Sequence, residues 1–499
     1  MNIDHLGYLI AHAVTLYPDR EALIQDDLTL TYRQLDDRSN RVARGLIDRG
    51  VKPGERVALM WPNDIRYVES LFGVMRAGAV AVPLNVKLGD EAIAYVLEDS
   101  DTVAMIVSPD LATRAQALAA AAPRVRFQIG PDELQQSRPD FDPPRYAPDD
   151  VCFQPYTSGS TGKPKGVLLT HRGQIWNADI VRKVQLVDET ERALVAVPVY
   201  HKNAGLTLKI HLLAGGSAVV LPAFDSAAVI AAIERYKCTY ISGVPAMFRL
   251  LVNDTESLAR HDVSSLRYAT AGSADVPEDL LAAFERAFGA QIGESYGLTE
   301  GGPDVIDSPR WGIRKPGSIG LVLPGCEVRL VDTRNPAQEV GIGEVGELIT
   351  RNPGVTPGYY KLPDVTARKI RDGWLHTGDL MQRDGDGYYY FVGRMDDMIN
   401  VGGENVYPKE VEDLLMQHPN IRDVAVVPAP HSVKGEAPVA FVVEHVPGAA
   451  SEEEIKSFFL ERGPAYAHPR RIYFCESLPL SGTGKLDRTA LRRRAAVAS

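Results

Sequence analysis

The segment Tyr156-Thr-Ser-Gly-Ser-Thr-Gly-Lys-Pro-Lys-Gly166 carries the most legible chemistry in this chain. Its glycines and small hydroxyl residues leave backbone N–H groups and side-chain oxygens free to surround phosphate oxygens. Lys163 and Lys165 add compact positive charge. The groups positioned to meet phosphates are Thr157, Ser158, Gly159, Ser160, Thr161, Gly162, Lys163 and Lys165. The segment is not a Walker A loop, because Pro164 follows Lys163 where a Ser or Thr is required. Composition alone also describes a flexible surface loop.

A second constellation, Gly293-Glu-Ser295-Tyr-Gly297, fits the GxSxG nucleophile elbow. Asp379 and the later histidines even give the order Ser, Asp, His. The elbow needs a helix directly after the turn, and Gly301, Gly302 and Pro303 oppose one. An α/β-hydrolase esterase is thereby the remote alternative. Other chemical groups stand alone: His201 after an apolar run, Glu300 after Thr299, Asp379 after Gly378, and Lys485 in Ser481-Gly-Thr-Gly-Lys485. Taken singly these read as a structural histidine, a solvated loop acid, a turn acid and an exposed lysine.

Their order along the chain changes that reading. The phosphate-type loop resembles the signature loop of the adenylate-forming superfamily, which includes acyl-CoA synthetases, peptide-synthetase adenylation domains and firefly luciferase. Six further segments resemble the other motifs of that family in the expected order: 197–201 (VPVYH), 293–300 (GESYGLTE), 346–360 (GELITRNPGVTPGYY), 374–380 (WLHTGDL), 393–412 (GRMDDMINVGGENVYPKEVE) and 478–488 (LPLSGTGKLDR). Among these, the closest pattern is that of small-acid acyl-CoA ligases.

The resemblance implies ATP, Mg²⁺ and coenzyme A, and a role for each matched residue. Thr299 would contact phosphate and Glu300 the magnesium; one carboxylate suffices, since Mg²⁺ takes few protein oxygens besides phosphates and waters. Asp379 would accept both ribose hydroxyls, with Arg394 as a second ribose contact. Tyr296 would lie against the adenine, while Gly272, Ser273 and Gly297 pass the nucleotide. Lys485 would bridge the substrate carboxylate and the α-phosphate, where a cation stabilises the transition state between two anions. Asp396 matches the hinge about which a C-terminal domain turns, bringing Gly402, Gly403 and Glu404 to a pantetheine channel. His201 would border the acyl pocket, together with Lys202, Asn203, Val244, Gly272 and Gly297.

Two departures from the family pattern concern specificity and an interface. Lys202 and Asn203 replace the usual small or apolar residues after the histidine. They point to a short or polar acid, such as a 2-hydroxy acid, or else face solvent on a loop; an aryl or medium-chain acid is the alternative substrate. Tyr466-Ala-His468-Pro469 lacks the usual lysine before proline. The acyl acceptor is free coenzyme A, with a carrier protein loaded by a stand-alone adenylation enzyme as the alternative.

These groups need a scaffold. Helix and strand patterns alternate through the first half, with a helix after Thr31, a strand at 56–60, a helix at 64–77 and strands at 79–83 and 103–107. Such alternation predicts an α/β fold with mostly parallel sheets. Residues 317–360 read as a small β unit, and the chain beyond Gly393–Arg394 as a smaller α+β domain. The expected division is 1–393, an AMP-binding adenylation domain, and 394–499, a mobile C-terminal domain. A length of 499 residues agrees with more than one domain. A formal net charge of -11 opposes nucleic-acid binding. The four separated cysteines form no CxxC, which points to a reducing cytoplasm. No leader or membrane-spanning stretch is read. Arg492, Arg493 and Arg494 read as a solvated helix end. The oligomeric state stays open, a homodimer included.

Overall fold

Local rules set the element boundaries. The Thr31 hydroxyl accepts from the Gln34 N–H, and the Gln34 side chain accepts from the Thr31 N–H. This reciprocal cap starts the helix Tyr32–Asp48, whose Leu35, Val42 and Leu46 are fully buried on one face. Asp64 caps Ile65–Arg76 through the Arg66 N–H. These contacts come from a computed structural model, which describes residues 3–158, 163–272, 276–302, 304–401, 404–431, 435–480 and 486–497. Strands Arg56–Met60, Val80–Pro83 and Thr102–Val107 fall where the sequence predicts them.

The chain forms two compact units, Met1–Val328 with Thr350–His376, and Arg329–Ile349 with Thr377–Ser499. The first holds two largely parallel sheets. In one, Gln291–Tyr296, Tyr268–Gly272, Tyr240–Gly243, Arg192–Val195, Ser217–Val220 and Glu21–Gln25 lie side by side and parallel. In the other, Val151–Phe153, Val80–Pro83, Arg56–Met60, Thr102–Val107 and Phe127–Ile129 are parallel. The strands are apolar on both faces, as sheets covered by helices on both sides require.

In the second unit the strands Ile421–His431 and Gly435–Glu444 pair antiparallel, with Ile399–Val401 and Ile472–Phe474 beside Gly435–Glu444. Alternation along the strands divides the apolar residues between two faces. Val424, Val426, Ala440 and Val442 pack with Val411 and Leu415 of helix Pro408–Leu415 and with Ile455 and Phe459 of helix Glu452–Leu460. Ala425, Val427, Val439 and Phe441 pack with Leu491 and Ala495 of helix Arg488–Val497. This is the expected smaller α+β portion beside a larger α/β one. The predicted position 393/394 lies within this unit, since strand Tyr389–Arg394 pairs with the end of Trp374–Arg383.

Candidate active site

The phosphate-type loop rises from a two-stranded ribbon. Tyr156–Ser158 pairs antiparallel with Pro164–Gly166, Thr157 opposite Lys165. A Cβ on Gly166 would stand 2.8 Å from Gln154 Nε2 and 3.0 Å from the Tyr156 ring, so those side chains would have to shift. The Lys163 ammonium stands over the Tyr95 ring, 5.2 Å from its centre. Gly159, Ser160, Thr161 and Gly162 lie outside the described residues, as do Ser273, Gly402, Gly403 and Lys485.

Glu300 is fixed beside this ribbon. Its Oε1 accepts from the Tyr359 hydroxyl at 3.0 Å and from Thr157 Oγ1 at 3.4 Å. Its carbonyl accepts from the Thr356 N–H at 2.7 Å. The carboxylate, the Thr157 hydroxyl and the ribbon therefore share one locality, which suits a metal held mainly by phosphate oxygens and water. Among the described residues no group of three or more His, Cys, Asp or Glu forms a metal cage. Thr299 is half-buried in the turn before Glu300.

Ser295 occupies a strand, Gln291–Tyr296, and a turn rather than a helix follows it. The elbow geometry of a hydrolase is absent. Tyr296, half-buried, ends the same strand opposite Ile306. Gly272 lies opposite Ser295, and a Cβ there would meet the Ser295 carbonyl oxygen at 2.9 Å.

The helix Lys202–Ala214 begins at His201, which occupies its N-cap position next to the Tyr200 ring. Lys202 does not face bulk solvent: its Nζ donates to the Gly297 carbonyl. Asn203 Oδ1 accepts from Ser242 Oγ at 2.9 Å. Both side chains line a cavity of about 20 Å³ walled by residues of the helices His171–Val184 and Lys202–Ala214 and of the strands Tyr240–Gly243, Tyr268–Gly272 and Gln291–Tyr296. His201, Val244, Gly272 and Gly297 are not among its lining residues.

Asp304 lines the same cavity and was missed by sequence reasoning. Its carboxyl takes a hydrogen bond from Ser295, and burial raises its pKa from 3.8 to about 6 against the opposing charges of Lys202 and Lys209. The available signal was an acid directly before the apolar Val305 and Ile306.

In the second unit Asp379 and Arg394 are direct partners in the antiparallel register. Arg394 Nε lies 3.1 Å from Asp379 Oδ1. The Thr377 hydroxyl accepts from the Asp379 N–H at 3.0 Å, and the Glu347 carboxylate from the Gly378 N–H at 3.0 Å. Gly378 has φ +76°, a left-handed residue within the strand Trp374–Arg383 directly before Asp379. Asp396 sits in the short turn Met395–Asp397, and Glu404 is exposed on strand Glu404–Val406. Arg492 departs from the expected solvated helix end. It donates to the Asp396 carbonyl at 3.0 Å and pairs with Asp397 at 2.8 Å, because its helix packs against this unit's sheet.

Comparison with known proteins follows the same lines. Residues 10–360 match the model of the AMP-binding enzyme family, and residues 410–485 that of the AMP-binding enzyme C-terminal domain. Over 495 residues the chain is 38% identical to a feruloyl-CoA synthase of Amycolatopsis sp, covering 98% of this chain and 99% of that one. It is 34% identical over 531 aligned positions to a long-chain-fatty-acid–CoA ligase of Salmonella typhimurium, covering 98% and 94%. The crystal structure of the anthranilate CoA ligase AuaEII in complex with anthranoyl-AMP superimposes with a TM-score of 0.92 at 28% identity, covering 99% of this chain and 98% of that one. The chain belongs to the AMP-binding enzyme family and is an AMP-forming acid–CoA ligase.

Proposed function

We propose that the enzyme joins a short or polar carboxylic acid, such as a 2-hydroxy acid, to coenzyme A through an acyl-AMP intermediate. The observation that carries the polar acid is the placement of Lys202 and Asn203 in the cavity wall beside Ser242. A long hydrocarbon there would exclude water from these polar side chains without offering them a hydrogen bond. The feruloyl and long-chain-fatty-acid relatives favour a second reading, an aryl acid or a longer chain. Transfer to a carrier protein rather than to free coenzyme A is the third.

In the first step the carboxylate attacks the α-phosphorus of ATP and pyrophosphate leaves. A carboxylate is a poor electrophile, because oxide is a bad leaving group; the mixed anhydride replaces it with AMP. In the second step the coenzyme A thiol adds to the acyl carbon and AMP departs. The protein contributes position and charge rather than a covalent nucleophile. Thr157, Thr299 and the 159–165 loop bind phosphates, and Tyr296, Gly272, Ser273 and Gly297 seat the adenine. Asp379 and Arg394 hold the ribose. Glu300 would hold Mg²⁺, which when bound neutralises phosphate charge; its fixed Oε1 supports that role. Lys485 stabilises the first transition state. A domain beyond residue 393, pivoting at Asp396, then presents Gly402, Gly403 and Glu404 to the pantetheine arm, while His201 borders the acyl carbon.

Four unpaired cysteines support a reducing cytoplasm. No described helix is long and apolar enough to cross a membrane. The test is a panel of carboxylic acids assayed for AMP release with coenzyme A present. Turnover is expected to be best for short polar acids, and best turnover with long acyl chains would overturn the substrate reading.

A further inference from the structure

The small cavity is lined by polar groups of opposite charge. The Asp304 carboxylate lines it, an acceptor already bound by Ser295. Lys202 also lines it, a donor whose charge acts on that same carboxylate. Asn203, held by Ser242, lies next to it on the helix. The volume of about 20 Å³ matches a single water-sized group rather than a ring or an alkyl tail.

We propose that Asp304 is a specificity-determining residue that reads a hydroxyl group on the acid, the hydroxyl donating to the Asp304 carboxylate and accepting from the Lys202 ammonium. The assignment rests on the acid–CoA ligase reading above. It follows from what each substituent can do. A hydroxyl both donates and accepts. A hydrocarbon does neither and adds no hydrogen bond to the Asp304 carboxylate or the Lys202 ammonium. A second carboxylate only accepts, and meets the like charge of Asp304. An ammonium only donates, and meets the like charge of Lys202. The preferred class is therefore hydroxy acids over matched alkyl, dicarboxylic and amino acids. A site built to hydrogen-bond a substrate hydroxyl rejects the analogue lacking it far more strongly than an apolar pocket rejects a methylene.

The experiment uses the full chain and two matched series. The first is 2-hydroxyisobutyrate, isobutyrate, dimethylmalonate and 2-aminoisobutyrate; the second is 4-hydroxybutyrate, butyrate, glutarate and 4-aminobutyrate. AMP release with coenzyme A gives kcat/KM for each. In the better series the hydroxy acid is expected to lead the other three by about a hundredfold or more. Asp304→Val should bring the hydroxy acid and its deoxy parent to within about tenfold of each other. Asp304→Asn, which keeps the shape and removes the charge, should improve the dicarboxylate relative to the hydroxy acid by about tenfold, and remains informative if the valine variant does not fold. Equal kcat/KM for hydroxy acid and parent in both series, or a dicarboxylate-to-hydroxy-acid ratio unchanged in the asparagine variant, overturns the assignment alone. No AMP with any acid, including long-chain and aryl acids, overturns the ligase reading and the assignment with it.

Discussion

The hydroxyl of Tyr359 donates to Oε1 of Glu300 across 3.0 Å, joining a segment beyond residue 350 to the turn that follows strand Gln291–Tyr296. Hydrogen bonds to charged groups contribute about 1.5–3 kcal/mol. Tyr359→Phe is expected to lower pyrophosphate–ATP exchange by about tenfold at limiting Mg²⁺, with less loss at saturating Mg²⁺. Circular dichroism should be unchanged, since the ring stays packed with Val167 and Leu169. Equal loss at all Mg²⁺ concentrations would separate Tyr359 from the metal site.

Asp379 is nearly buried, whereas the side chain of its partner Arg394 is 54% exposed. A pair so open to water adds little to stability, roughly 0–1 kcal/mol. Asp379→Ala and Arg394→Ala should each raise KM for ATP by tenfold or more while moving the urea midpoint little. A large stability loss with unchanged KM for ATP would make the pair structural.

Lys485 can be tested by separating the half-reactions. Lys485→Ala should reduce acyl-AMP formation by at least about a hundredfold, because a charge placed at the transition state is lost. Thioester formation from supplied acyl-AMP should fall far less. Equal losses in both steps would remove the lysine from its proposed place between carboxylate and α-phosphate.

Three buried histidines set an acid limit. Burial lowers His5 to about 3 and His171 and His211 to about 4, from 6.5. The first two rings stack at 3.8 Å, and backbone N–H groups of Gly7 and Leu6 donate to their Nδ1 atoms. The folded state therefore binds fewer protons than the unfolded one between pH 6.5 and 4. Stability present above pH 6.5 is lost as pH falls through that window, by up to about 2 kcal/mol per histidine at pH 5. The urea midpoint at pH 5 should lie well below that at pH 8, and His211→Gln should narrow the gap. Identical midpoints would show that these rings titrate normally.

Arg488 forks onto both oxygens of Glu412, at 2.8 and 2.9 Å, and also donates to the Val426 carbonyl at 2.7 Å. Removing it takes the counter-charge from a mostly buried carboxylate, which keeps the Val426 N–H on Oε1. Arg488→Ala should destabilise the second unit by about 2–3 kcal/mol, and Arg492→Ala by less than about 1 kcal/mol. Hydrogen exchange across 421–444 would report both, and the reverse order would refute this account.

Much of the scaffold was legible because it follows local rules. The cap at Thr31 and Gln34, the strand Arg56–Met60 and the failure of Ser295 to head a helix can all be read from neighbouring residues. Two features resisted for one reason. Arg492 reads as solvated and Asp304 as unremarkable until long-range packing brings Asp397 to the first and Lys202 near the second. A side chain's charge environment is set by residues a hundred positions away, and periodicity does not carry that information.

The helix Arg488–Val497 closes one whole face of the Ile421–Glu444 strands, with Leu491 and Ala495 set on Val427, Val439 and Phe441. Any proteolytic clip ahead of Leu491 would strip that cover and leave a row of valine and phenylalanine open to water. Such a fragment should self-associate through its uncovered strands, so a nicked preparation would lose material to precipitation and not merely shorten by one helix.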